Sequence, residues 1–241
     1  MKINIKGVII SNDYKWIYDL FDVDAVSPKD VDSLLEQSEE GEELEVHINS
    51  PGGHVDAGSE IYTALKSYKG KVNVKIIGMA ASAASVIAMA GDHVEISPTA
   101  QIMIHNVSSG VWGDHRAMQH GSDVLKNYNK SIANAYQLKT GLEQSELLSM
   151  MNKETFLTAQ QAKEKGFADA VMFDDANAPK LVASFSNGMI PQAVIDKMRE
   201  NLFQSNIQGQ QNVTPPEPKD QTLLAKLNAR QRQLDLKYKE V

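Results

Sequence analysis

The run Val72-Asn73-Val74-Lys75-Ile76-Ile77-Gly78-Met79-Ala80-Ala81-Ser82-Ala83-Ala84-Ser85-Val86-Ile87-Ala88-Met89-Ala90-Gly91 decides the reading of this chain. Val72 to Ile77 is β-branched and alternates enough to form a strand. Val86 to Ala90 reads as a short apolar helix stopped by Gly91. Ser82 therefore falls at a strand-to-helix turn, close to a helix N-terminus and among Ala and Gly. Such small neighbours let another backbone approach, and the amides of a helix start can face a developing negative charge. That suits a nucleophile with an oxyanion site. Taken alone, the stretch reads equally well as a tightly packed helix of small residues with a capping serine. Ser85, about one helical turn on, is expected to point elsewhere.

Outward from this run the pattern repeats. Leu44-Glu45-Val46-His47-Ile48 reads as a strand entering Asn49-Ser50-Pro51-Gly52-Gly53, whose glycines permit positive φ and close backbone approach. A helix is expected from about Asp56 to Tyr68, with Ile61, Ala64, Leu65 and Tyr68 on one face. Residues 44–91 thus alternate strand, helix, strand, helix, the signature of parallel strands with crossover helices. Upstream, residues 3–10 read as a first strand, and Ser27-Pro28 opens a helix with Ser at N-cap and Pro at N1. Downstream, His93–Ile96 and Gln101–Ile104 read as a short strand pair leading to His105. Residues 114–140 form a long helix by spacing, from Gly121, Val124 and Tyr128 to Ile132 and Tyr136. A second helix covers about Glu143–Met151, Thr158 to Gln161 has capping-box form, and Phe167–Phe173 reads as a closing strand.

The composition then changes. Ile190 to Phe203 reads as an amphipathic helix, and 204–222 as a disordered linker rich in Gln, Asn and Pro. Residues 223–239 read as a final helix with Leu224, Leu227, Leu234 and Tyr238 in a stripe and Lys226, Arg230, Arg232, Lys237 and Lys239 around it. The expected organisation is a domain at 1–180, a helical extension at 181–203, the linker at 204–222 and a basic amphipathic helix at 223–241.

Across all 241 residues the net charge is −7, which argues against broad nucleic-acid binding. There are no cysteines, so disulfides, thiol catalysis and cysteine metal sites are excluded. No apolar run is long enough to span a membrane, and Met1 to Lys6 has no signal-peptide core, so a cytoplasmic protein is expected.

Three further pieces turn Ser82 into a candidate active site. His105, at the end of Ile102-Met103-Ile104, can project an imidazole from a strand end. Histidine is the usual base for serine because an ordinary imidazole titrates near ~6.5 and can take up and return a proton. Among the other histidines, His47 lies inside a strand, His93 starts one, and His115 and His120 lie near or in an exposed helix. His54 follows the glycine turn and stays in reserve. Glu154 is a candidate acid to orient the base, though a carboxylate near a helix start is also common on a surface. Gly52-Gly53 can present one amide to an oxyanion while Ala83 presents another; a plain turn is the competing reading.

No single piece is specific, but their order and local sequence are. Asn49-Ser50-Pro51-Gly52-Gly53, Gly78-Met79-Ala80-Ala81-Ser82, Met103-Ile104-His105 and Glu154-Thr155-Phe156-Leu157-Thr158-Ala159-Gln160-Gln161-Ala162-Lys163-Glu164-Lys165-Gly166 resemble the ClpP serine peptidase family at each site. The resemblance covers about residues 3–173 and is closest to the phage branch, the ClpP-related prohead (head maturation) proteases. It implies an α/β, ClpP/crotonase-like fold of repeated β-α-β units with a long protruding helix, followed by a partly disordered C-terminal extension. It implies serine endopeptidase chemistry with Ser82 as nucleophile, His105 as base and the Gly53 and Ala83 amides as the oxyanion hole, with no metal and no cofactor. It also implies a homo-oligomeric ring, with phage scaffold or capsid precursor as substrate. The family acid is usually Asp, where Glu154 stands here; Glu is longer by one methylene and can still orient an imidazole. A long segment before the first strand, which in ClpP helps engage an unfoldase, is not expected here, so an ATPase partner is not favoured. The rivals are a bacterial proteolytic subunit working with an ATPase, a crotonase-type acyl-CoA enzyme and a non-catalytic scaffold.

Overall fold

The computed structural model describes residues 1–174. The extensions expected at 181–203, 204–222 and 223–241 lie outside the described residues. In chain order the strands and helices are β1 Lys2–Ile9, α1 Lys15–Leu20, β2 Ala25–Val26, α2 Pro28–Leu35, β3 Leu44–Gly53, α3 Val55–Lys66, β4 Val72–Ala81 and α4 Ala83–Ala88. There follow β5 His93–Ile96, β6 Gln101–Ile104, α5 His115–Thr140, α6 Gln144–Asn152, β7 Thr155–Thr158, α7 Ala159–Glu164 and β8 Ala170–Val171. No described helix is long and apolar enough to cross a membrane.

Alternation places the core. Ile3, Ile5, Leu44, Val46, Ile48, Val72, Val74 and Ile76 are all buried, while the residues between them are half-buried or exposed. One face of the sheet therefore packs into the core with Ile61 and Leu65 of α3 and all six residues of α4. The opposite face carries Lys2, Asn4, Glu45, His47, Asn73 and Lys75, where Glu45 accepts from Lys75 Nζ at 2.5 Å. The main path of the sheet runs β2-β1-β3-β4-β5-β8 with every neighbouring pair parallel, as the strand–helix alternation requires.

β4 has two partners on one side. Asn73 to Ile76 pair with His93 to Ile96 of β5, and Met79 to Ala81 pair with Gln101 to Met103 of β6, both in parallel. The expected pairing of His93–Ile96 with Gln101–Ile104 is therefore corrected. Both strands run along β4 one after the other, and the turn at Ser97–Ala100, closed by Ala100 N–H to Ser97 O at 2.9 Å, bends the chain without reversing it. β6 instead pairs antiparallel with β7. The closing strand expected at 167–173 is only Ala170–Val171.

Local sequence explains the helix ends. Asp30 Oδ2 accepts from Ser27 N–H at 2.9 Å and Ser27 Oγ–H at 2.8 Å, locking the start of α2 with Pro28 in its first turn. Thr158 and Gln161 exchange the reciprocal capping-box bonds that open α7. α5 is buried only at Ile132, Ala133, Ala135 and Tyr136. Its first seventeen residues, 115–131, contribute no buried residue, and Val124 and Tyr128, which lie at helical spacing, are each 37% exposed.

Candidate active site

β1, β3 and β4 all depart from regular pairing at one level, just before the site. The β1–β3 register shifts between Lys6 and Val8, and the β3–β4 register between Ile48 and Ser50. Asn49 and Ser50 fill the gaps so created. Asn49 Oδ1 accepts from Met79 N–H at 3.1 Å, and a Cβ on Gly78 would lie 2.4 Å from that same oxygen, so Gly78 is the residue that admits it. Ser50 Oγ donates to Gly7 O at 2.6 Å and accepts from Gly52 N–H at 3.1 Å. Beyond these bulges the strands deliver Gly52, Gly53 and Ser82 to one edge.

Ser82 sits between β4 and α4 at φ 53°, ψ −125°, a conformation that a residue with a side chain rarely adopts. Such backbone strain costs about 1–3 kcal/mol and persists only where the surroundings over-determine it. Here they do: Ser82 N–H donates to Met103 O at 2.9 Å, and Ser82 O accepts from Ser85 N–H at 3.0 Å. The Ser82 side chain makes no capping bond to the helix, so it is not the capping serine of the plainer reading. Instead Ser82 Oγ lies 2.8 Å from His105 Nε2. This is a sharp strand-to-helix turn that holds a hydroxyl out toward an imidazole.

Gly52 presses against this turn. At φ +93°, a Cβ there would come 2.6 Å from Ala81 O, 2.7 Å from Ser82 Cβ and 3.0 Å from Ala83 N. Only glycine allows the Pro51-Gly52-Gly53 backbone to lie so close to the turn. Gly53 and Ala83 both line a cleft of about 230 Å³ together with Ser82 and His105, and Val86, Ile132 and Tyr136 are also among its lining residues. The structure thus gathers four of the five sequence-predicted site residues around one cleft.

Glu154 is the fifth, and it is placed differently. The β6–β7 ladder ends at Ile104 opposite Thr155, so His105 and Glu154 are the residues that next leave it on either strand. Yet Glu154 is exposed and lies in a turn at φ 49°, and the hydrogen bond of the His105 side chain goes to Ser82 and not to Glu154. The two segments are tied one residue away on the His105 side, where Asn106 Nδ2 donates to Asn152 Oδ1 at 2.8 Å. His54, the reserve base, is engaged elsewhere, since its Nδ1 accepts from Ala57 N–H at 3.4 Å and caps α3. His115 and His120 are exposed on α5.

Sequence reasoning missed the parts played by Asn49, Ser50 and Gly78. Their signal was present, since a glycine ahead of a strand end and an Asn-Ser pair before two glycines are bulge-forming residues, but nothing in a linear chain shows that they meet.

The family model described as Clp protease matches residues 31–175, more than half of the chain. The chain belongs to the Clp protease family. Within it, the chain is 32% identical over 142 residues to the ATP-dependent Clp protease proteolytic subunit of Chlorella vulgaris, covering 58% of this chain and 71% of that protein. To the proteolytic subunit of the same name from Deinococcus radiodurans it is 32% identical over 141 residues, 58% of this chain and 69% of the relative. The parallel sheet and its flanking helices are the α/β architecture expected for a Clp protease. Family membership makes this a peptidase of the serine class, from a family whose members assemble into oligomeric rings.

Proposed function

We propose that this protein is a serine endopeptidase in which Ser82 attacks the peptide carbonyl. The observation that carries the reading is the 2.8 Å bond from His105 Nε2 to Ser82 Oγ at a strained turn. In the acylation step His105 Nε2 takes the Ser82 proton as the Oγ–carbon bond forms, and the carbonyl electrons move to its oxygen. The Gly53 and Ala83 amides donate to that oxyanion. When the intermediate collapses, the C–N bond breaks and His105 returns the proton to the departing amine. Water then attacks the acyl–Ser82 ester with His105 again as base. Glu154, which adjoins the end of the β6–β7 ladder next to Thr155, is proposed to orient and stabilise the imidazolium. The cleft wall of Val86 and Ile132 favours an apolar substrate side chain next to the scissile bond.

For the natural role, the motif resemblance supports processing of phage scaffold or capsid precursor within a ring, without an ATPase. A second reading has its own support in the names of the relatives, which are ATP-dependent proteolytic subunits. Degradation of a folded reporter only in the presence of an unfoldase and ATP would decide for the second. Cleavage of precursor by the protein alone would decide for the first.

The chemistry is tested with a fluorophosphonate probe followed by peptide mapping, and with Ser82→Ala. Labelling is expected at Ser82, and the variant should fold but hydrolyse nothing. A labelled residue other than Ser82, or an active Ser82→Ala protein, would refute the assignment.

A further inference from the structure

Beside the cleft, which Tyr136 itself borders, a second hydroxyl pair is linked to the nucleophile's own backbone through Ser85. Ser85 Oγ donates to Ser82 O at 2.6 Å, and the same Oγ lies 2.8 Å from Tyr136 Oη. A serine hydroxyl has one proton. Because Ser85 directs it to Ser82 O, the proton between the two hydroxyls comes from Tyr136. The chain of donors runs one way, from Tyr136 O–H to Ser85 Oγ–H to the Ser82 carbonyl.

A serine bonding the carbonyl three residues back is common in helices. The Tyr136 link is not local. It joins α5 to the nucleophile turn across 51 residues of sequence, and both side chains are shut off from solvent, at 0% and 1% exposure. The Tyr136 ring is itself fixed against Phe167, with centroids 5.7 Å apart. Burial pushes the phenol far above its ordinary pKa, so it remains a donor throughout the neutral range.

The Ser82 carbonyl and the Ala83 N–H belong to one planar peptide unit, and in a trans peptide they point in opposite directions. A bond that fixes the carbonyl therefore also aims the N–H. A hydrogen bond accepted by a carbonyl further polarises the peptide, strengthening its N–H as a donor by about 10–30%. We infer that Tyr136 and Ser85 form a positioning relay that aims and polarises the Ala83 amide for the oxyanion. The inference rests on the proposed peptidase reading and adds to it Ser85, which lies outside the cleft lining, and Tyr136, which borders the cleft and acts here through its hydroxyl bond to Ser85.

The test uses the full-length protein with Tyr136→Phe, Ser85→Ala and the double variant. Tyr136→Phe keeps the ring and removes only the terminal donor. Removing an oxyanion donor outright lowers kcat by ~10²–10³, so a relay acting through that donor is expected to lower it by about tenfold, with KM unchanged. Affinity for a peptide boronate, whose tetrahedral adduct carries the oxyanion, should fall in proportion to kcat/KM across the variants. Affinity for an uncleavable peptide ligand at the same site should not change. The double variant should be no slower than Ser85→Ala, because the groups act in series. A purely structural role would lower the unfolding temperature and leave boronate and ligand affinities moving together, which would overturn the inference. So would wild-type kcat in Tyr136→Phe, or additive losses in the double variant. Should Tyr136→Phe fail to fold, the boronate and kcat comparison for Ser85→Ala decides by the same criteria. Absence of fluorophosphonate labelling at Ser82 in the unmutated protein would instead refute the peptidase reading.

Discussion

Replacing Gly52 by alanine should damage both stability and activity, and Gly41 provides its control. Both glycines have positive φ, +93° and +80°. At Gly41 an added Cβ meets nothing within 4 Å, whereas at Gly52 it meets Ala81 O, Ser82 Cβ and Ala83 N at 2.6–3.0 Å. An alanine held in the left-handed region costs roughly 1–2 kcal/mol. Both variants also lose a similar amount of unfolded-chain entropy, which offsets that cost by about 0.4–1 kcal/mol. These contributions largely cancel in the comparison. What remains is the steric part, about 1–3 kcal/mol for forcing a methyl into a packed site. With a slope of roughly 2 kcal/mol/M, the urea midpoint of Gly52→Ala should lie about 0.5–1.5 M below that of Gly41→Ala at equal protein concentration. The atoms that must yield are those of the nucleophile turn. A displacement of about 1 Å there costs on the order of 10² in rate, so kcat/KM on a fluorogenic peptide should fall by about that factor in Gly52→Ala and stay near wild type in Gly41→Ala. Matching midpoints and matching rates would show that the glycine segment does not press on Ser82.

Glu154→Gln removes a charge and keeps size, so if the carboxylate steadies the imidazolium, kcat should drop by at least about tenfold with assembly unchanged; near-normal kinetics would leave a Ser82–His105 dyad. Asp169 gives a pH signature. Burial pushes its carboxyl up, but the Lys139 ammonium at 2.7 Å and the Val94 N–H at 2.7 Å outweigh this and hold it below its ordinary value of 3.8. A carboxylate lowered in the folded state stabilises fully above the unfolded value and ceases to do so as the pH falls through the folded one. Asp169→Asn should therefore unfold at a lower temperature than wild type at pH 7, with the gap closing below about pH 4; a gap independent of pH would remove the charge from the explanation.

The β-α-β core was legible because each level of the sequence agreed. The clearest cases are local: Ser27-Pro28, Thr158 with Gln161, and the alternation in Leu44–Ile48 and Val72–Ile77. Ser82 and His105 were legible as residue types at element ends, and the structure places their side chains within a hydrogen bond. Three things escaped. α1 and β2 did, since Lys15-Trp16-Ile17-Tyr18 lacks a helical stripe and two-residue Ala25–Val26 is too short to show a period. The partners of β5 and β6 escaped because alternation marks a strand without naming its neighbour. The contact of Tyr136 with Ser85 escaped because the spacing of α5 marks an inward face and not what lies opposite it.

The uneven packing of α5 divides its backbone into two thermodynamic regimes. Amides around Ile132–Tyr136 are enclosed by the core and should exchange with solvent deuterium only when the whole domain opens. The segment 115–131 has no buried residue to hold it, and a free helix of that length is marginal in water. In the isolated chain its amides should exchange through local fraying, many orders faster, with a gradient along a single continuous helix. Asn129 Oδ1, which accepts from Val107 N–H at 2.8 Å, marks where protection should begin to rise. A partner surface laid along 115–131 would flatten that gradient, so deuterium uptake along one helix reports whether copies of the chain are in contact there.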